Sequence, residues 1–378
     1  MEICVKNEKV ANFLFNLRTL NQLAEVLDDR SYRKAELINV LTALHETVYY
    51  DPSCISREEF ENSLLEGQRI MAPALARRAP LSAPKAGVIG HSHMDTAWLW
   101  PVDETIRKCA RTYALALSMM EQYPEYIFIQ SSALHAYWME KQYPMLFQRM
   151  QEKVKEGRWE PNGGVWVECD CNVTGGEAMV RQFLRGQRYT RQAFGYTSDT
   201  FWLPDTFGYS AAIPQILKGV GIRYFCTTKL SWNDTTAFPM DTFLWKGLDG
   251  SAVMAHFNTT HSWPDAKHLI TSLEGGSGSK NFVAHKQVND SRLVAYGFGD
   301  GPMFEMLEAS RRVKDLEGCP RSYHSTVSDY LHRLEAEADL PTYAGELYLQ
   351  LHRGTLTQRH EVKRNNRKGE IALRSLEL

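Results

Sequence analysis

In the stretch GVIGHSHMDTAWLW, Gly87 to Trp100, an apolar run ends in two histidines and an aspartate. His93 and Asp95 stand two apart, so on an extended backbone their side chains project to the same side and could share one metal ion. Strand ends also carry polar residues simply because they meet water. On spacing alone the two readings are evenly balanced.

The same logic recurs at three further places. FWLPDTFGYSAAIPQIL ends an aromatic run at Pro204 and presents Asp205 where the chain turns toward a helix. Asp205 could cap that helix, although Ser210 is better placed to do so. AYGFGDG presents Asp300 between glycines, which allow either a ligand's close approach or a tight turn. In ELYLQLHRGTLTQRH, Leu347, Leu349 and Leu351 alternate with Glu346, Tyr348, Gln350 and His352, which places His352 at the end of a predicted strand. Two imidazoles and two carboxylates form a mixed nitrogen and oxygen set that suits Zn2+ or a similar transition metal such as Co2+, whereas calcium and magnesium favour oxygen alone.

Elements must bring such residues together. From Lys85 onward short apolar runs alternate with amphipathic segments: KAGVIG, YIFIQSSA, GGVWVECD, DTFWLP and RLVAYGFGD each precede a helical pattern, and IRYFCTT is a further such run after the AAIPQILKGVG segment. That alternation implies an α/β domain, a parallel sheet or barrel with helices outside, whose ligands belong at the carboxyl ends of the strands. FLWKG and SAVMAHF read as a β-rich elaboration, and EGGSGSK, Glu274 to Lys280, has the composition of a mobile linker. Before this region, residues 1–80 read as a helical domain and linker, with Ser56 and Glu59 forming a capping box at the start of one helix. Residues 81–360 form the α/β domain, and residues 361–378 read as the start of a further helical domain cut short.

Composition narrows the partners. The 378 residues carry 43 Lys and Arg against 45 Asp and Glu, so no basic footprint for nucleic acid or an anionic membrane is present. Nine Trp, 17 Tyr and 16 Phe supply flat faces that suit sugar stacking or an ordinary large core. Seven Cys, without a CxxC pair, read as reduced cytoplasmic usage, and the chain shows no secretory leader or membrane-spanning run. The N-x-S/T triplets at Asn172, Asn233, Asn258 and Asn289 are then chance matches. Homo-oligomerisation stays open.

HSHMDTAWLW, WLPDTFGYSAAIPQIL, YGFGDG and ELYLQLHRGTLTQ, in this order, resemble the α-mannosidases of glycoside hydrolase family 38, in the cytosolic or bacterial branch. The resemblance runs from about residue 85 to the end. It implies a (β/α)7-barrel with one zinc ion per chain, cleaving terminal α-mannosyl linkages of oligosaccharides with retention. It would make His93, Asp95, Asp205 and His352 the metal ligands, Asp205 the nucleophile and Asp300 the acid/base. Trp98, Phe207 and Lys229 would border the sugar, with Glu168 and Asp170 as further pocket carboxylates or strand caps. His91 would be structural. Relatives follow the YGFGDG aspartate with a longer glycine run, whereas here GPMFEM comes at once, a shortening that would displace Asp300. A metal-dependent carbohydrate deacetylase and a catalytically impaired carbohydrate-binding fragment are the competing expectations.

Overall fold

The computed structural model describes residues 5–51, 53–275, 283, 286–337 and 339–378, so most of the expected EGGSGSK linker lies outside the described residues. Three helices come first: α1 (Glu8–Val26), α2 (Tyr32–Thr47) and α3 (Arg57–Ala76). The capping box forms as expected, because Ser56 Oγ accepts from the Glu59 amide while Glu59 Oε2 accepts from the Ser56 amide. The α/β alternation follows in chain order: β1 (Lys85–His91), α4 (Val102–Gln122), β2 (Phe128–Ile129), α5 (Ala133–Gln142), α6 (Pro144–Lys155), β3 (Trp159–Glu160), α7 (Gly176–Phe194) and β4 (Thr200–Trp202). It continues with α8 (Ile213–Gly219), β5 (Tyr224–Thr227), β6 (Thr242–Lys246), β7 (Ala252–Phe257), β8 (Thr259–Ser262), α9 (Ala266–Glu274) and β9 (Ser291–Tyr296). The last elements are α10 (Phe304–Val313), β10 (Arg321–His324), α11 (Val327–Glu337), β11 (Thr342–Ala344) and α12 (His360–Glu377).

The strands form two sheets. One runs β3-β2-β1-β9-β8 with β10 also on β1, and the other runs β11-β6-β7-β5-β4. Every ladder is parallel except β6 with β7, the segment expected to be a β-rich elaboration. Alternation along β1 divides the interior: Val88 packs into a core shared with α1 and α10, while Ile89 joins Ile129, Trp202, Cys226, Met254 and Leu293 between the two sheets.

Two expected strands are absent as ladders. GGVWVECD is irregular, and the strand lies just upstream at β3. Its glycines explain this: Gly164 takes φ 76°, and Gly163 packs so tightly on the Ser131 carbonyl that a Cβ would collide with it. ELYLQLH keeps the expected alternation of burial at Leu347 and Leu349 but makes a single bridge, Leu347 to Tyr209. His352 therefore does not end a strand.

Helix α11 crosses the end where the strands begin. Its Tyr330 hydroxyl meets Ser291 Oγ at 3.0 Å, and Glu335 accepts from the Tyr224 hydroxyl at 2.6 Å. At its first turn, side chains stand in for a ladder between β3 and β4. Glu160 accepts from the amides of Val327 and Ser328 at 2.7 and 3.0 Å and from Asn162 at 2.9 Å. Asp199, just before β4, accepts from Thr200 Oγ1 at 2.9 Å and from Ser328 Oγ, and pairs with His332 at 2.9 Å.

Burial raises the Glu160 pKa to about 7 despite these donors, with Asp199 nearby adding to the effect. A carboxyl raised above its unfolded value stabilises the fold most below that unfolded value and loses the contribution as pH rises toward 7. Glu160→Gln is therefore expected to flatten the stability profile between about pH 4.5 and 7 by up to roughly 3 kcal/mol. Urea unfolding of both proteins across that range checks it; parallel profiles would refute the assignment.

Candidate active site and metal centre

The first loop after β1 is built to hold Asp95 and His93 in place. Thr105 Oγ1, buried on α4, donates to the Asp95 carbonyl at 3.1 Å and accepts from the Ala97 amide and Trp100 Nε1, both at 3.0 Å. Thr96 Oγ1 meets His135 Nε2 at 2.8 Å, tying the loop to α5. Ala97 is held at φ 82°, a left-handed conformation costly for a residue with a Cβ. This sharp reversal keeps Asp95 close to His93.

His93, Asp95 and Asp205 converge so that one ligand atom from each lies within 4.8 Å of the others. His93 Nε2 is 3.2 Å from Asp205 Oδ2 and 3.5 Å from Asp95 Oδ1, and His93 Nδ1 is 3.6 Å from Glu168 Oε2. Both ring nitrogens are buried, yet neither has a partner with hydrogen-bond geometry. Burial opposes charge on this ring, but Glu168, Asp205 and Asp95 outweigh it and push the His93 pKa up to about 10. A field of that sign favours a cation, and the imidazole and carboxylate donors suit zinc or a similar transition metal. The residues present therefore fit a metal ion.

Asp205 has a second cation. Lys229, itself buried, pairs with its Oδ1 and lies 4.8 Å from the Phe207 ring centre and 4.1 Å from that of Trp232. Burial raises the Asp205 pKa, yet His93 and Lys229 overcome this and hold it well below the usual carboxylate range. Asp205 is thus fixed as an anion and aimed between two positive groups. Burial raises Glu168 above its ordinary value, opposed by His93 and by Ser131.

A pocket of about 290 Å³ opens here, lined by His93, Asp95, Glu168, Asp170, Asp205 and Phe207 among others. Asp170 also accepts from the amides of Asn172 and Val173 at 2.8 and 2.7 Å, which is the strand-capping alternative. Trp98 is not among the residues that line this pocket; it is 64% exposed and edge-on to Trp100. His352 lies apart from the triad, exposed, at φ 52°, with its ring 4.8 Å from Phe207.

Asp300 is also apart. Its side chain is 74% exposed and pairs with Lys108 Nζ at 2.5 Å. Phe298 and Gly301 bridge across it in a tight turn, the reading the glycines favoured.

Two histidines escaped or only grazed the sequence argument. His91 is fully buried without a partner on either nitrogen, its ring 5.6 Å from Trp202, and burial keeps its pKa well below the ordinary value, in line with a structural role. His261, at the end of β8 with φ 53°, places its ring 5.9 Å from His93 and 6.1 Å from His91. Its position after the run AVMAHFNTT was the available signal, obscured because β7 and β8 follow each other with a single residue between.

Residues 83–346 match the Glycosyl hydrolases family 38 N-terminal domain. The chain is 45% identical over 293 residues to Alpha-mannosidase 2C1 of Homo sapiens, an alignment covering 76% of this chain and 28% of that protein. It is 37% identical along its whole length to Alpha-mannosidase G of Dictyostelium discoideum, covering 34% of that protein. It is 38% identical to Alpha-mannosidase of Saccharomyces cerevisiae over 76% of this chain and 28% of the relative. Among solved structures, an alpha-mannosidase from Enterococcus faecalis V583 superposes with a TM-score of 0.59 at 19% identity, over 70% of this chain and 31% of that one, and shares the fold. The chain thus spans about a third or less of the length of these relatives. It belongs to glycosyl hydrolase family 38.

Proposed function

We propose that this chain carries the catalytic centre of a zinc-dependent retaining glycoside hydrolase that cleaves terminal α-mannosyl linkages of oligosaccharides. The observation that carries the reading is the convergence of His93, Asp95 and Asp205 at the carboxyl ends of the strands, with Asp205 held as an anion. The three α-mannosidase relatives named above support the sugar. The two sheets, sharing one inner core, are then the walls of a (β/α)7-type barrel. No described helix is long and apolar enough to cross a membrane.

Asp205 acts as the nucleophile: its carboxylate attacks the anomeric carbon as the glycosidic C–O bond breaks and the leaving oxygen departs with a proton, and water then opens the glycosyl-aspartate to give the free sugar and the restored carboxylate. Lys229 pairs with Oδ1 of that carboxylate and so restrains its direction before the sugar arrives, which leaves less orientation to be lost in the transition state. Phe207 offers an apolar face beside that carboxylate. A zinc ion held by His93, Asp95 and Asp205 would orient and polarise the hydroxyls of the bound mannose. His352 is the remaining nitrogen donor of the expected set and lies outside the triad, its ring 4.8 Å from that of Phe207.

The exposed, Lys108-paired Asp300 favours a second reading, a sugar-binding fragment with impaired turnover, because glycosylation needs a proton on the leaving oxygen. A mechanism-based fluorosugar carrying a good leaving group tests the nucleophile under either reading, since that group needs little protonation, and turnover of an unactivated α-mannoside separates the two, because its leaving oxygen must receive a proton. Mass spectrometry is expected to find the label on Asp205; label on another carboxylate, or none at all, would count against the nucleophile.

A further inference from the structure

His93 has two edges with different company. Nε2 looks toward Asp205 and Asp95, whereas Nδ1 looks toward Glu168. A histidine that binds a metal through one nitrogen needs its other nitrogen kept as an N–H donor, because that bond selects the tautomer, fixes the ring plane and makes the ligand more basic. Glu168 is itself anchored: Ser131 Oγ donates to its Oε1 at 2.8 Å, leaving Oε2 to face the imidazole. The separation of 3.6 Å exceeds a finished hydrogen bond, and Nδ1 is buried with no other hydrogen-bond partner.

We infer that Glu168 is a positioning residue for His93, accepting from Nδ1–H so that the Nε2 lone pair is aimed between Asp95 and Asp205, with Ser131 setting the direction of the carboxylate. The backbone prepares this arrangement. Ser131 lies just after β2 and Glu168 in the irregular segment after β3, and Gly163 lets that segment press against the Ser131 carbonyl. Glu168 then belongs to the support of the metal and not to the wall that reads the sugar. The inference rests on the proposed metal reading of His93.

The test uses the full chain and zinc alone, with the dissociation constant measured by competition against a chromogenic chelator. Wild type is expected to bind about one zinc, and Glu168→Gln to weaken binding by about 10- to 100-fold with stoichiometry kept. Ser131→Ala is expected to weaken it by less, and the visible band of the Co2+-loaded protein is expected to shift in both variants. Wild-type zinc affinity in Glu168→Gln overturns the inference, as does a raised KM for an aryl α-mannoside with metal affinity unchanged, which would return Glu168 to the sugar wall. If Glu168→Gln does not fold, wild-type affinity together with an unshifted Co2+ band in Ser131→Ala overturns it instead. A wild-type chain that binds no zinc refutes the metal reading itself, a result distinct from either.

Discussion

Replacing Asp205 by Asn is expected to lower kcat/KM for an aryl α-mannoside by about 10⁴-fold or more while the protein still folds, since removing a covalent nucleophile costs on that order. The choice of Asn matters. Asp205 is the carboxylate partner of Lys229, whose side chain is only 6% exposed, and it also faces His93. Asp205→Ala would leave that ammonium buried and unpaired, at a cost of about 3–5 kcal/mol, so lost activity would be entangled with lost stability. Asn keeps the shape and one acceptor oxygen. Stopped assays at high enzyme concentration, alongside unfolding curves, separate the effects; activity within tenfold of wild type in the Asn variant would remove Asp205 from the nucleophile role.

The second large effect concerns the metal shell. His93→Ala is expected to reduce bound zinc from about one per chain to a small fraction, because it removes the nitrogen donor at the centre of the triad and leaves three carboxylates facing one another. His352→Ala is expected to leave the stoichiometry near one, since its ring packs on Phe207 away from the triad. Metal analysis after dialysis, on both variants, reads this directly. Equal loss in the two would mean that His352 reaches the metal as firmly as His93 does, and that the turn at residue 352 closes onto it.

His93, Asp95 and Asp205 were legible as candidates because the apolar runs of β1 and β4 give way to polar residues within a few positions, but β1 stops at His91, so the irregular loop after it and not a strand's pleat brings His93 and Asp95 together. The parallel layering was legible for the same reason, through the alternation of apolar runs with helical patterns. The two misplaced strands failed at glycines and at edges. GGVWVECD has the composition of a strand, but Gly163 presses on the Ser131 carbonyl and Gly164 takes a left-handed conformation, so the backbone there is not extended. ELYLQLH alternates correctly yet finds one bridging partner, and a period-two pattern reports burial without reporting pairing. Lys108 was invisible as the partner of Asp300 because 192 residues separate them, and no local pattern encodes such a contact. The anchoring of Glu168 by Ser131 was hidden likewise.

The core that α1 shares with the α/β layer bears on how the molecule comes apart. Phe13, Leu20 and Leu23 pack in one cluster with Val88, Leu269 and Met306, and Arg312 on α10 donates to Asn12 and Asn16 on α1. Helices joined only by a linker could melt early and leave the sheets standing. Here the amino-terminal helices form part of the wall behind β1, the strand that delivers His93. Their loss would open that wall to water, so cooperativity ties the metal centre to residues far outside its pocket.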